Sequence, residues 1–392
     1  MKKIFLGIFA LSLLVFISSC QETENNVTKQ EEPAVSENII PGQYIVVLKD
    51  NNNKSLAQLD YKAKVNFVKQ EAIQMGVDES SVLHAYGSAI HGFTAKLSEE
   101  QLANLRNDNR VAYIVADKMF NLGDMRILRG GPPTSSEPPA ETIPYGIMRV
   151  GYGDGTGKTA WIIDTGVDLD HPDLNVDASR GYDFINDDAY ADDDNGHGSH
   201  CAGTVAAINN DIGVVGVAAG ATIVPVKVLD RRGSGAYSVI IAGVDFVAAN
   251  ANPGDAANMS LGGGVYEPID DAVINMANAG IYTALAAGNE SDDANNHSPA
   301  RANAANIWTV SAMDDADYWA YFSNYGNPPI DFCMPGVDVY STYMDGGFAT
   351  MSGTSMASPH MCGVLLMTGG NPNIDGYVNG DPDGNPDPIG HL

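Results

Sequence analysis

Cysteine is scarce in this chain, with four residues at Cys20, Cys201, Cys333 and Cys362. Cys20 falls at the end of the leader described below, and the remaining three cannot all pair with one another, which excludes a disulfide framework. No C-x-x-C pair is present, so a cysteine-based zinc site is excluded as well, and the three read as small buried hydrophobes. Positive charge is also short: 21 Lys and Arg stand against 49 Asp and Glu, a net charge of −28. The imbalance is local. Residues 1–136 hold 14 basic and 15 acidic side chains, whereas residues 137–392 hold 7 and 34. Such an acidic body repels nucleic acid and anionic membranes, which sets those partners aside. It favours solubility and cations.

What the chain has is an N-terminal leader and two folded regions. Lys2 and Lys3 precede an apolar run from Ile4 to Ile17 and the small residues Ser18 and Ser19. This is the three-part plan of a secretory signal, and the run is too short to span a membrane. Ile17-Ser18-Ser19-Cys20 resembles a bacterial lipobox, which would make Cys20 a lipid anchor. Residues 20–41 are polar and acidic and suit a flexible tether.

Residues 42–121 read as a small α+β domain. YIVVLKD is a buried strand, Leu56–Met75 has helical spacing, and IHGFTAKL alternates as a strand. SEEQLANLRND opens with Ser98 and acids in its first turn, a helix start, and VAYIVAD closes as another strand. The order predicted is β-α-β-α-β. A Pro-, Gly- and Ser-rich linker follows over 122–143.

From 144 to 392 short apolar strands alternate with helical segments, which predicts an α/β fold with a mostly parallel central sheet and helices on both faces. The C-terminal DGYVNGDPDGNPDP is acidic and turn-rich and reads as a surface tail; without a closing Glu it is not an EF-hand. In parallel sheets functional residues gather at the carboxyl ends of strands. Four polar motifs fall there.

Asp164 follows directly on the strand TAWIID, where alone it reads more readily as a capping or turn residue than as a catalytic one. Its D-T-G context also occurs in aspartic proteases, but those need two such loops and this chain has one. His197 lies between glycines at a helix start, where an accessible imidazole can serve as a general base. With His200 it would make only half of a metal site. Asn289 ends the strand YTALAAG, where a carboxamide N–H can face a developing oxyanion. In MSGTSMASPH a glycine turn enters an apolar helix that tolerates Pro359 in its first turn. Ser355 stands at that junction, and Ser352 and Ser358 read as turn and cap residues.

Together the order Asp164, His197, Asn289, Ser355 resembles the subtilisin-like serine proteases, or subtilases. The likeness spans about residues 144–370, and VLDRRGSGAYSVIIAGVDFV, SLGGG and FSNYG are similar to the proteinase K branch. It implies a three-layer subtilisin-like fold preceded by an inhibitory propeptide domain over 42–121, and a maturation cleavage in the linker. The implied enzyme is a secreted or envelope-anchored serine endopeptidase, a monomer made as a self-processing zymogen. It would act on protein and peptide substrates, with its own propeptide as an intramolecular inhibitor and no cofactor for catalysis. Ser355 would attack, His197 would carry the proton, Asp164 would orient the imidazole, and Asn289 would hold the oxyanion. Substrate would add as a strand between Gly233-Ser234-Gly235 and Ser260-Leu261-Gly262, and small residues there and at Gly288 would leave a slot for apolar or aromatic side chains. A structural Ca²⁺ is implied at Asp331 with the carbonyls of Ala305 and Ile307. A second resembles a family calcium loop built on Asp183, Asp188 and Asp192, for which a solvated acidic loop is the equal alternative. Ser199 and Cys362 depart from the usual Thr and Ala without touching the chemistry. A catalytically silent relative acting as a binding protein is the competing expectation.

Overall fold

Strand Ile39–Leu48 shows how the two folded regions meet. Successive side chains of a strand point to opposite faces. Val46 and Leu48 enter one apolar cluster with Val68, Leu102 and Leu105. Ile45 and Val47 enter another with Tyr237, Ile240 and Ile241 of the second region. A strand apolar on both faces is therefore covered on both.

The computed structural model describes residues 38–49, 58–123, 126–129 and 138–392; the expected leader, the Cys20 anchor and most of the tether lie outside the described residues. Residues 38–392 form one compact unit. Among the described residues no helix is long and apolar enough to cross a membrane.

The N-terminal domain has the strands Ile39–Leu48, Val82–Tyr86, Gly92–Lys96 and Val111–Asn121 and the helices Tyr61–Gln74 and Glu99–Arg106. Its antiparallel sheet runs in the order 82–86, 92–96, 39–48, 111–121 and ends on Ser234–Ala236 of the second region. The expected capping pattern at Ser98 is a full capping box with Gln101. The strand Val82–Tyr86 was not expected from sequence. Its run is interrupted by His84, and Leu83 faces solvent, so alternation is weak there.

In the second region nine strands form the central sheet. Their order is Asn373–Tyr377, Pro388–His391, Ile330–Pro335, Ile307–Met313, Tyr282–Ala286, Ala256–Met259, Thr159–Asp164, Thr222–Lys227 and Tyr182–Asp183. All neighbours are parallel except the first pair. In Thr159–Asp164, Ala160 and Ile162 face one core with Cys201, Val205, Met356 and Met361. Trp161 and Ile163 face the other with Ile240 and Val273. The helices His197–Ala206 and Thr354–Thr368 thus cover one face, and Tyr237–Asn250 and Glu267–Asn278 the other, making three layers.

The C-terminal segment DGYVNGDPDGNPDP lies mostly at the surface, but it is tied to the sheet. Pro388–His391 joins the sheet edge through Cys333 and Ile389. Ile389 and Val378 bury with Met313 and Cys333. Asp387 is fully buried, where it accepts bonds from the Ser311 hydroxyl and the Asn327 carboxamide. Its acidic residues concealed two apolar anchors.

Candidate active site

Strand Thr159–Asp164 delivers Asp164 to the carboxyl edge of the sheet, and the helix starting at His197 packs beside that edge. Gly196 precedes the histidine at φ 105, with the Tyr343 ring so close that any Cβ would overlap it. This left-handed turn favours glycine. His197 Nδ1 lies 2.7 Å from Asp164 Oδ1, and both side chains are fully buried. Asp164 Oδ1 also accepts from Thr165 N at 2.7 Å, while Asp164 Oδ2 and His197 Nε2 have no partner among the described residues. The second imidazole nitrogen is free to exchange a proton.

Ser355 is the second residue of helix Thr354–Thr368 and is almost fully buried. Its hydroxyl donates to the Ser260 carbonyl at 3.1 Å, and its own carbonyl accepts from the Ser260 hydroxyl at 2.7 Å. Cys201 ties the groups together. Its Sγ lies 3.5 Å from the Ser355 carbonyl, and its sulfur and ligand atoms of Asp164 and His197 all lie within 4.8 Å of one another. Burial pushes the Cys201 thiol well above the ordinary thiol range, so it stays protonated.

Asn289 is oriented by its oxygen. Oδ1 accepts from Thr354 N at 2.8 Å and from Thr354 Oγ1 at 3.0 Å, leaving the carboxamide N–H groups to face away from that turn. Gly288 donates its N–H to Thr354 Oγ1 at 3.1 Å, which holds the Gly288-Asn289 turn against the helix start carrying Ser355. A helix N-terminus and an oriented carboxamide together suit a developing oxyanion.

One side of the expected substrate cleft is filled by the chain itself. Asn121, Phe120 and Met119 pair antiparallel with Ser234, Gly235 and Ala236, and Leu122 N donates to Gly233 O at 2.9 Å. On the facing side Phe120 makes side-chain contacts. Phe120 buries with Leu261 and Tyr266, its ring 6.1 Å from that of Tyr237 and 3.5 Å from where a Cβ on Gly263 would stand. The strand Arg126–Arg129 then pairs with Gly347–Ser352, the strand that leads into Ser355. The N-terminal domain is held further by Asp245, which accepts from Gly87, Ser88 and Ala89 N at 3.1, 2.7 and 2.6 Å.

Among the described residues no group of three Asp, Glu, His or Cys side chains draws together at the expected calcium positions. Among the described residues the Asp164, His197 and Cys201 set is the one group of three such side chains whose ligand atoms draw together. Asp183 is buried and spends its oxygens on Ile185 N, Asn186 N and the Asn186 carboxamide. Asp188 is exposed and caps Tyr190 N, and Asp192 accepts from Leu169 N. Asp331 accepts from Thr309 N at 3.0 Å, and burial raises its pKa to about 6. Ala305 is exposed and Ile307 buried at the strand start beside it. Sequence reading missed Asp173, a fully buried carboxylate between Asn210 and Val214 whose pKa burial raises to about 7, with the Glu141 charge adding to it. Buried carboxylates with no cationic side chain among these contacts fit a hard divalent cation.

Comparison with known proteins agrees with this geometry. Residues 155–376 match the model of the subtilase family, and residues 43–122 match that of peptidase inhibitor I9. The chain is 39% identical over 341 residues to alkaline serine exoprotease A of Vibrio alginolyticus, spanning 84% of this chain and 60% of that longer one. It is 36% identical over 377 residues to an extracellular serine proteinase of Thermus sp. (strain Rt41A), spanning 92% and 89%. A crystal structure of a cold-adapted subtilisin-like serine proteinase superposes with a TM-score of 0.52 at 38% identity, covering 57% of this chain and 84% of that one. With the two domain models matching in the order in which the structure seats one domain on the other, the chain belongs to the subtilase family of serine proteases, with an inhibitor I9 propeptide ahead of its catalytic domain.

Proposed function

We propose that this chain is a secreted serine endopeptidase made as a self-cleaving zymogen, with Ser355 as nucleophile. The observation that carries the reading is the buried Asp164–His197 pair at 2.7 Å, with the far imidazole nitrogen unpartnered among the described residues. The Ser355 hydroxyl leaves the Ser260 carbonyl, turns to His197 Nε2, gives up its proton and attacks the scissile carbonyl. His197 then protonates the leaving amine, and water repeats the sequence on the acyl-enzyme. Asp164 fixes the imidazole tautomer and stabilises the imidazolium. The Asn289 carboxamide and the Ser355 N–H take the oxyanion.

Substrate binds by adding a strand to Ser234–Ala236, the place held here by residues 119–121. The small residues Gly262 and Gly288 and the apolar pocket taken by Phe120 favour apolar or aromatic side chains. Self-cleavage falls between Leu122 and Arg126, because Leu122 bonds to Gly233 on the substrate edge and Arg126 pairs with Ser352, three residues before Ser355. A structural Ca²⁺ is held at Asp331, Ala305 and Ile307, and Asp173 offers a further carboxylate; its role is to neutralise buried charge, with no part in the chemistry. The Asp183, Asp188 and Asp192 loop is the weaker calcium site, since Asp183 is already saturated by its own turn. The mature enzyme acts as a monomer, and Cys20 tethers the precursor to the envelope.

Expression of the full chain and of Ser355→Ala, followed by N-terminal sequencing, tests the reading. The wild-type chain should yield a new N-terminus between residues 123 and 126, and the variant should stay intact. Equal processing of both would overturn it.

A further inference from the structure

We infer that Thr165 and Asp193 act as a positioning pair that fixes the His197 imidazole against the Asp164 carboxylate; the inference rests on the serine-protease reading above. Neither residue contacts substrate. Thr165 follows Asp164 directly, and its hydroxyl works in two directions. It donates to Asp193 Oδ1 at 2.8 Å and accepts from Gly198 N, the residue after His197, at 2.9 Å. A single hydroxyl next to Asp164 therefore bonds both the loop that precedes His197 and the helix that carries it.

Asp193 closes the other side. It is buried, and it accepts from Asn195 N at 3.0 Å, Gly196 N at 2.9 Å, and the Ser199 N and hydroxyl at 2.9 and 2.6 Å. Gly196, at the N-cap of helix His197–Ala206, supplies no side-chain cap, so Asp193 takes over the free N–H groups of that helix start. The carboxylate is thus the cap of the helix and the acceptor of Thr165 at once. Lys227 completes the frame: fully buried, it donates to the Thr165 carbonyl at 2.5 Å and to Asp194 Oδ1 at 2.6 Å.

The reason such a frame matters is the thin connection it supports. His197 meets Asp164 through one bond to one oxygen, while Asp164 Oδ2 has no partner among the described residues. Nothing in the pair itself prevents the imidazole from sliding to the other oxygen or tilting away from Ser355. Gly198 lies so close to the Gly166 carbonyl that a Cβ would overlap it, so the two loops are already in backbone contact and a small change at Thr165 must move one of them. Misplacement of about 1 Å at a reacting group costs on the order of 100-fold in rate.

The test uses the full chain as it is expressed, with Thr165→Val, Asp193→Asn and the conservative Thr165→Ser. Peptide hydrolysis is measured per active site titrated with a fluorophosphonate, with thermal unfolding alongside. Thr165→Val and Asp193→Asn should lower kcat about 10- to 100-fold with KM within about threefold, and Thr165→Ser should recover most of it. A lower melting temperature or yield with wild-type kcat per titrated site would show a merely structural role and overturn the inference. So would a Thr165→Ser variant as slow as Thr165→Val. If Thr165→Val does not fold, Asp193→Asn and Thr165→Ser decide on the same readouts. A wild-type chain that takes up no fluorophosphonate would instead fail the underlying serine-protease reading.

Discussion

Replacing Phe120 by alanine should loosen the hold of the N-terminal domain on the catalytic domain without touching catalysis. Phe120 is 4% exposed and sits between the Ser234–Ala236 edge and the pocket made with Tyr237, Leu261 and Tyr266. Removing a buried phenyl ring forfeits about 2 kcal/mol of transfer free energy, and its edge-on contact with Tyr237 adds about 0.5–1.5 kcal/mol. The pocket lies at an interface that water can refill, so the cavity penalty of a closed core does not apply in full. A net loss of about 3 kcal/mol corresponds to inhibition weakened on the order of 100-fold. The backbone pairing at residues 234–236 survives, so binding should weaken and not vanish. The assay is the inhibition constant of the N-terminal domain added to mature enzyme, with circular dichroism to show that the variant domain is folded. A folded variant that inhibits within about threefold of wild type would refute the pocket's role.

Three further outcomes are expected. Asn289→Ala should raise the barrier to kcat by about 2.7–4 kcal/mol, a magnitude known from removing such a donor in subtilisin itself, and lower the melting temperature as Thr354 N and Oγ1 lose their acceptor; an unchanged kcat would remove Asn289 from the oxyanion site. Chelation should destabilise the mature enzyme in a pH-dependent way. Burial raises Asp173 from 3.8 to about 7 and Asp331 from 3.8 to about 6, so without a cation the folded state loses stability as pH rises from the ordinary carboxylate value up to those values, with the full penalty above them and progressively less toward pH 4. A chelator should therefore lower the melting temperature by about 5–10 °C near pH 8 and far less near pH 5. An equal drop at both, or none near pH 8, would contradict the calcium assignment. Asp245→Ala should release the N-terminal domain sooner after processing, seen as a shorter lag before peptide hydrolysis, because three backbone N–H groups of residues 87–89 lose their acceptor. An unchanged lag would show that water replaces the carboxylate at no cost.

Much of this molecule is legible in the sequence because its strands are short apolar runs and its helices start at recognisable caps. Ser98 announced its capping box, and TAWIID announced a strand ending on a carboxylate. What stayed hidden has a physical cause in each case. The strand Val82–Tyr86 carries His84 at its centre and exposes Leu83, so its edge position masks its pattern. The C-terminal hairpin was concealed by its Asp, Pro and Gly content, although Val378 and Ile389 anchor it. Asp193 was the least visible, one acid in the run Asp192-Asp193-Asp194. Only the fold shows that its neighbour Asp194 faces solvent while Asp193 is buried under five hydrogen bonds, from Thr165 and from the helix start. The Asp164, His197, Asn289 and Ser355 set was found by chain order; its geometry required the sheet.

The measurement that bears most directly on the central claim is covalent labelling of the processed protein with a fluorophosphonate, followed by peptide mapping. The account predicts one stoichiometric adduct on Ser355, concurrent loss of peptide hydrolysis, and no adduct in His197→Ala. A processed, folded protein that hydrolyses peptides yet takes up no label at Ser355, or takes it up elsewhere, would contradict it.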